Sequence, residues 1–244
     1  REAVEVGVSI GIQSTTHELL SEVSAYLEQG YARIKIKIAP GKDLKFIESI
    51  RKVYPEIPLQ VDANSAYTLD DLPIFKEMEK YQLLLIEQPL GYEDIYEHSL
   101  LQSKLETPIC LDESIHSMGD AQAALAMKSC RIINIKPGRV GGYSESIKIH
   151  NLCAAHDIPV WHGGMLESGI GRAGNLALAS LPNFTLPGDI SASRRYFKQD
   201  IVSPEFVVTS DGKMAVPKLP GIGVDVLEDR LAAVTVYSKE FRHT

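Results

Sequence analysis

The sequence predicts an α/β protein, a (β/α)8-type (TIM-like) barrel, and three observations support this fold class. Eight strand-like runs alternate with helix-like segments within the first 190 residues, which favours a barrel over a doubly wound sheet. The run at 83–87, Leu-Leu-Leu-Ile-Glu, is so apolar that both of its faces need cover, as in a parallel sheet. Charged residues end five successive runs, and the chemistry of barrel enzymes lies at such strand ends.

The individual elements follow from local patterns in chain order. Apolar and β-branched runs predict strands at 4–12, 33–38, 58–62, 83–87, 108–112, 131–136, 158–161 and 183–186. Apolar residues at helical spacing predict helices at 17–30, 41–54, 69–81, 93–105, 119–127, 142–156 and 167–181. Beyond Asp189 the alternation stops, and Asp211-Gly212 predicts the turn of a hairpin between 206–208 and 214–216.

We expect two parts in this chain. No linker or low-complexity stretch divides the first 190 residues, so residues 1–190 are predicted to form a catalytic barrel. Residues 191–244 are predicted to form a C-terminal return segment that packs on the barrel. The chain starts at Arg1 and runs almost directly into a strand pattern, which indicates that it is part of a longer protein.

Composition excludes several classes of function. A net charge of −7 and a pI near 5.5 argue against a general nucleic-acid binder or a binder of anionic membranes. The three cysteines, Cys110, Cys130 and Cys153, have no paired metal spacing and fit the reduced thiols of a cytoplasmic protein. No run approaches transmembrane length and no signal-like start is present. We therefore expect a cytoplasmic protein that acts on a small molecule.

The predicted strand at 33–38, Arg-Ile-Lys-Ile-Lys-Ile, poses a problem of its own. Alternation places Lys35 and Lys37 on one face and the isoleucines on the other. Two neighbouring ammonium groups are costly to bury, because they repel each other and lose hydration. In isolation the pattern favours an edge strand with a solvated lysine face, and Arg33 on that same face has no explanation from the sequence.

The ends of the predicted strands carry the strongest functional signal. Lys37, Asp62, Glu87, Asp112 and Lys136 each close an apolar run, and the intervals between them are 25, 25, 25 and 24 positions. In a barrel these residues would project from adjacent strands around one mouth. The sequence therefore predicts that they form a single site, and Lys35 and Lys37 face into it.

Three carboxylates at a buried mouth repel one another unless a cation binds them. Oxygen ligands without a thiolate suit Mg²⁺ (or Mn²⁺), although any single aspartate could instead cap a helix. A lysine at each end of the carboxylate arc suits proton transfer. The chemistry indicated is metal-assisted removal of a proton next to a carboxylate.

The motifs KIK, VDAN, LIEQPL, LDES, NIKPGRVGG and HGGM together resemble the enolase superfamily, in its muconate-lactonising subgroup. Within that subgroup the chain is similar to the o-succinylbenzoate synthase / N-succinylamino acid racemase family, from about residue 4 to about residue 223. The resemblance implies metal ligands at Asp62, Glu87 and Asp112 and acid/base lysines at Lys37 and Lys136. It also implies supporting roles for Lys35, Asn64 and Glu113 and substrate contacts at Ser9, Gly164 and Met165.

The same resemblance implies an activity and leaves alternatives open. The family dehydrates 2-succinyl-6-hydroxy-2,4-cyclohexadiene-1-carboxylate to o-succinylbenzoate in menaquinone synthesis, racemises N-acylamino acids, or does both. Dipeptide epimerases carry Asp-x-Asp on the eighth strand, where this chain has Asp189-Ile190-Ser191. A muconate-cycloisomerase-like lyase or epimerase and an inactive metal-binding barrel or scaffold remain alternatives. Family members also carry an N-terminal α+β capping domain, which is absent from this chain. The return segment 191–244 is expected to pack on that domain as well as on the barrel. Family members commonly form homo-oligomers.

Five further side chains have competing interpretations. His162 lies where related enzymes carry a histidine base, but the sixth strand ends in Lys136 instead of the aspartate that pairs with such a base, so a packed imidazole is favoured. Trp161 and Tyr143 are expected in the core. Arg194-Arg195 could bind an anion, although paired arginines are usually solvated.

Overall fold

The structure is a computed structural model and describes residues 1–241. Within these residues the strands are β1 (Ala3–Glu5), β2 (Gly7–Ile10), β3 (Arg33–Lys37), β4 (Leu59–Asp62), β5 (Ile86–Glu87), β6 (Ile109–Leu111), β7 (Ile132–Ile135), β8 (Val160–His162), β9 (Val202–Ser203), β10 (Lys213–Ala215) and β11 (Asp225–Val226). The α-helices are α1 (Thr16–Glu28), α2 (Leu44–Val53), α3 (Leu72–Met78), α4 (Tyr96–Gln102), α5 (Met118–Met127), α6 (Pro137–Val140), α7 (Tyr143–Ala155), α8 (Gly169–Ala179) and α9 (Glu228–Val234). Short 3₁₀ helices lie at Leu69–Asp71, Glu79–Tyr81 and Ser193–Arg195.

A parallel sheet with helices around it forms the body of the protein. Strands β2 to β8 lie side by side in chain order. The eighth predicted strand is not regular, but the segment around it closes the ring. Phe184 bridges in parallel to Val160 of β8, and Gly188 bridges in parallel to Val6 beside β2. The predicted barrel is therefore confirmed, with an irregular eighth element between β8 and β2.

Side-chain alternation sorts the strands into an apolar outer face and a polar inner face. On β3, the buried Ile34 and Ile36 belong to the large hydrophobic cluster that the helices cover. Lys35 lies on the other face and points into the barrel. A second, small cluster is formed by Leu85, Cys110, Ile132 and Trp161, on the face opposite to the outer cluster. The rest of the described barrel interior is largely polar.

Local signals explain where several helices begin. Thr15 accepts a hydrogen bond from the backbone of Glu18, whose carboxylate accepts one from the Thr15 backbone N–H. This capping box satisfies two N–H groups that the helix itself leaves free. Ser117 is the N-cap of α5, and its side chain accepts a hydrogen bond from the backbone N–H of Asp120. These caps orient the helices that follow the first and fifth barrel strands.

The predicted hairpin near the C-terminus is wrong in its pairing. The turn at Asp211-Gly212 forms, because the backbones of Thr209 and Lys213 are hydrogen-bonded across it at 2.8 Å. However, β10 pairs antiparallel with β1, with Met214 opposite Val4. Residues 206–208 are not in a strand. The Met214 side chain is buried against the start of the chain instead, so β10 attaches the return segment to the strand that precedes the barrel.

The remaining return segment also folds onto the barrel. Strand β9 pairs antiparallel with β11, and the 3₁₀ helix Ser193–Arg195 lies directly after the eighth barrel element. The division of the chain after residue 190 stays a prediction. Among the helices of residues 1–241, none has the length and apolar character that crossing a membrane requires.

Candidate active site

The strand ends bring the five predicted charged residues to one mouth of the barrel. In the register of the sheet, Lys37 is paired with Asp62, and Asp62 is paired with Glu87. Asp112 and Lys136 directly follow β6 and β7. Because all seven regular barrel strands are parallel, their carboxyl ends share one side of the molecule. The predicted meeting of these residues is confirmed.

A cavity of about 280 Å³ opens at this mouth. Eight of the eleven predicted site residues line it, while Glu87, Asp112 and Glu113 do not. The lining residues are Ser9, Gly11, Lys35, Lys37, Asp62, Asn64, Lys136, Gly164, Met165, Leu166, Asp189, Ser191, Arg195 and Tyr196. Glu87 and Asp112 are buried beneath it, at 0% and 1% exposure. The cavity is small, charged and floored by carboxylates.

Lys35 is buried among three carboxylates. Its Nζ lies 2.6 Å from Asp189, 2.9 Å from Glu87 and 3.4 Å from Asp62. Burial alone would lower the pKa of this ammonium, but the neighbouring carboxylates raise that pKa well above its usual value. Lys35 also lies 4.9 Å from the ring centre of Trp161, a cation–π contact. The solvated-edge interpretation of the 33–38 strand is therefore wrong, because Lys35 is charged and paired inside the barrel.

Lys37 is the more accessible lysine, with a side chain that is 42% exposed. Its Nζ donates a 2.6 Å hydrogen bond to Oδ1 of Asn64. The amide nitrogen of Asn64 donates in turn to Glu113 at 2.9 Å. Asn64 has a left-handed backbone with φ of 41°, a conformation that asparagine tolerates better than most residues. The predicted supporting residues Asn64 and Glu113 therefore form a chain that orients Lys37.

Lys136 approaches the cavity from the opposite side of the ring. It forms a salt bridge with Asp112, and Arg139 binds the other oxygen of the same carboxylate. Burial would lower the pKa of Lys136, but Asp112 and Glu87 raise it. Sequence reasoning missed Arg139 and also Asn134, whose amide donates to Glu87 at 2.7 Å. The only sequence signal for both was their place in NIKPGRVGG, beside Lys136.

The carboxylates fit a hard divalent cation by their chemistry. Burial raises the pKa of Glu87 well above its usual value, and the nearby charges of Asp62 and Asp112 raise it further, so added positive charge is favourable there. Within residues 1–241, no three acidic, histidine or cysteine side chains are arranged around a common metal position. Instead, Asp62 and Glu87 contact Lys35, and Asp112 contacts Lys136 and Arg139. The donor set is oxygen-only, as Mg²⁺ and Mn²⁺ prefer.

The two glycines of HGGM leave room for neighbouring groups. A Cβ added at Gly163 would overlap the Asn134 and Lys136 side chains, and one at Gly164 would overlap the backbone carbonyl of Asp189. Close approach therefore explains this pair. Gly164 and Met165 lie in the lining of the cavity as predicted, and Met165 is 61% exposed.

Asp189 closes the inner ring of charges and explains Arg33. Nη1 of Arg33 lies 2.7 Å from Asp189, and its Nη2 donates to the Pro187 carbonyl at 2.8 Å. Burial would raise the pKa of Asp189, but Arg33 and Lys35 hold it far below the usual value. One aspartate therefore pairs with two of the three cations of β3 that face inward.

The other side chains with competing interpretations differ in outcome. His162 is buried and tilted against the Phe184 ring at 6.2 Å between centroids, so the packed interpretation is confirmed. Trp161 is fully buried as expected, whereas Tyr143 is 46% exposed, so its placement in the core is wrong. Arg194 is exposed and pairs with Glu205. Arg195 instead lines the cavity.

Comparison with known proteins agrees with this architecture. The chain is 52% identical over 244 residues to an o-succinylbenzoate synthase of Geobacillus stearothermophilus, covering all of this chain and 65% of that relative. It is 52% identical over 236 residues to an N-succinylamino acid racemase of Amycolatopsis, covering 96% of this chain and 64% of the relative. An enolase superfamily member of known structure from Listeria innocua superimposes with a TM-score of 0.92 at 49% identity, covering 96% of this chain and 62% of that one. The chain thus spans just under two thirds of these relatives' lengths. The enolase C-terminal domain-like family matches residues 18–230, and the chain belongs to that family.

Proposed function

We propose that the protein carries out divalent-metal-dependent removal of a proton α to a carboxylate, as an o-succinylbenzoate synthase, an N-succinylamino acid racemase, or both. One observation carries the proposal: Lys37 and Lys136 flank a cavity lined by Asp62, and Glu87 and Asp112 are buried close to this carboxylate. Relatives at about half identity bear those two names. The substrate would be a small-molecule carboxylate, since the cavity holds only about 280 Å³.

Asp62, Glu87 and Asp112 would hold the metal ion. Members of the superfamily depend on a divalent metal, and an ion bound here would supply positive charge to stabilise the enediolate form of the substrate. Lys35 and Asn134 remain bonded to Glu87 and keep that carboxylate in place. Asp112 pairs with Lys136 and raises the pKa of this lysine. Lys136 would release its proton more readily, and could act as a base, with this carboxylate bound to the metal instead.

The two lysines have distinct tasks in the two reactions. In the dehydration, Lys37 removes the α-proton and returns it to the leaving hydroxyl, which departs as water. Lys136 stays protonated and stabilises the negative charge across the ring. In the racemisation, one lysine removes the proton from one face and the other delivers a proton to the opposite face. Asn64 holds Lys37 in position for either task.

The test is α-proton exchange in D₂O with full-length protein, Mg²⁺ or Mn²⁺, and each enantiomer of an N-succinylamino acid. We expect the wild type to exchange both enantiomers, while Lys37→Ala and Lys136→Ala each lose exchange of one enantiomer by roughly 10²-fold or more. Lys52→Ala, on the exposed face of α2, serves as the control and should match the wild type. If the wild type exchanges neither enantiomer and does not dehydrate the cyclohexadiene substrate, the proposed function is wrong.

A further inference from the structure

One wall of the mouth cavity is an arginine rather than a barrel residue. Arg195 lies in the 3₁₀ helix after the eighth barrel element. Its Nη2 donates to the carbonyl of Ser9, and its Nη1 donates to the hydroxyls of Ser191 at 2.8 Å and Tyr196 at 3.2 Å. The guanidinium also lies 5.1 Å from the Tyr26 ring centre. Bonds on several sides hold this side chain at the edge of the cavity.

The order of the strands places Arg195 across the mouth from Glu87 and Asp112. Ser9 is on β2 and Ser191 follows the eighth element, so Arg195 lies where the ring closes. Glu87 and the segment carrying Asp112 lie on the fourth and fifth barrel strands, half a turn around the same ring. Lys37 and Lys136 project from the second and sixth strands, and each lies between Arg195 and the Glu87–Asp112 side of the ring. A molecule held by these carboxylates and the lysines would extend toward Arg195.

Arg195 differs from the other arginines of this region in its charge balance. Arg33, Arg139, Arg172 and Arg194 each have a carboxylate within salt-bridge distance. In residues 1–241, no carboxylate lies within that distance of Arg195, whose three hydrogen-bond acceptors are neutral oxygens. A guanidinium has five N–H donors. Arg195 therefore offers the cavity a positive charge and donors that the protein does not use.

We propose that Arg195 binds a second carboxylate on the substrate and selects acyl groups that end in one. This inference rests on the proposed function and assigns one residue to the choice of acyl group. Both relatives' names include a succinyl group, which carries a carboxylate at the end remote from the reacting carbon. The planar donor fork of arginine matches a carboxylate, and its charge favours that group over a neutral methyl.

The experiment compares N-succinylphenylalanine with N-acetylphenylalanine, which lacks the second carboxylate. In full-length protein with Mg²⁺, Arg195→Met should raise the KM for exchange of the succinyl substrate roughly 10- to 100-fold, the usual effect of losing a charge-assisted hydrogen bond. The kcat for that substrate and both constants for the acetyl substrate should change less than about twofold. Arg195→Lys should recover part of the loss. Arg194→Met, on the exposed neighbour paired with Glu205, should match the wild type.

A binding measurement separates this inference from the proposed function. Titration calorimetry with N-succinylglycine and N-acetylglycine should show that Arg195→Met weakens only the succinyl ligand. If the wild type exchanges no proton, yet Arg195→Met selectively weakens binding of the succinyl ligand, the proposed function is wrong and the subsite stands. If exchange occurs but Arg195→Met affects both acyl groups equally, or neither, the subsite is wrong and the proposed function stands.

Discussion

Charge pairing at single residues explains why a strand with three inward cations can be buried. Arg33 and Lys35 share the carboxylate of Asp189 at 2.7 and 2.6 Å, and Lys35 also contacts Glu87. Desolvating an unpaired charge costs several kcal/mol in real proteins, and pairing offsets this cost only with good geometry. Lys37, at the end of the strand, is half exposed and is held by Asn64. The three cations of β3 are therefore stabilised by different partners and are buried to different degrees.

His162 makes a testable contribution to acid sensitivity. Burial lowers the pKa of His162 to about 4, so this imidazole is neutral in the folded protein at pH 5 but takes up a proton in the unfolded chain, where the pKa is about 6.5. The unfolded state binds more protons in this window, so stability falls as the pH drops from 6.5 toward 4. At pH 5 the loss relative to pH 7 should be about 2 kcal/mol from this residue.

The measurement is urea unfolding of wild type and His162→Gln at pH 7 and pH 5. Glutamine does not titrate, so the difference between the two proteins separates the contribution of His162 to the pH dependence from that of the carboxylates and the other histidines. We expect the wild type to lose about 2 kcal/mol more than the variant between these two values of pH. Equal losses would show that His162 is protonated in the folded state or reaches water.

At the scale of elements, the strands and the charged residues at their ends could be predicted from local sequence patterns, whereas contacts between distant segments could not. The positions of Lys37, Asp62 and Glu87 followed from short, largely apolar strand runs that each end in a charge, because the carboxyl ends of parallel strands lie on one side of the sheet. The contact of Arg195 with Ser9 joins residues 186 positions apart and forms only when the ring closes. The contact of Arg33 with Pro187 spans 154 positions. No short-range signal encodes such pairs.

The return segment is held to the mouth by a buried cluster around Asp200. Its carboxylate accepts from the backbone of Gly169 at the start of α8 and from the Ser193 hydroxyl, and it lies 3.5 Å from Arg172. Arg172 also donates to the Glu167 carbonyl in the loop after β8. The cluster therefore joins two segments that line the cavity.

We expect Asp200→Ala to destabilise the protein by on the order of 3 kcal/mol, since it leaves the buried charge of Arg172 unpaired. Urea unfolding measures the loss, and hydrogen exchange should show faster opening at 191–201 than in the barrel strands. Asp211→Ala, which breaks the exposed pair with Lys213, is the matched control and should cost less than about 1 kcal/mol. Equal effects of the two substitutions would show that Asp200 does not fasten the return segment.

At the scale of the whole molecule, the barrel is built as two chemical layers. Apolar side chains of alternate strand positions fill the space under the helices, and this layer could be predicted from composition and period alone. The inner layer is mostly polar and contains the charged side chains of the mouth. Burial raises the pKa of Glu87, and the neighbouring charges of Asp62 and Asp112 raise it further. A cation bound beside these carboxylates would therefore stabilise the folded state.

Divalent cations should therefore raise the melting temperature of the protein. At a free Mg²⁺ concentration 100 times the Kd, binding to the folded state alone contributes about 2.7 kcal/mol, which corresponds to a rise of about 5–10 °C for a chain of this size. Excess EDTA should reverse the rise. Glu87→Gln removes one of the three carboxylates while retaining the shape of the side chain, so its rise should be much smaller. Scanning calorimetry in EDTA and in Mg²⁺ measures both proteins, and an equal rise in the two would place the bound metal away from the barrel mouth.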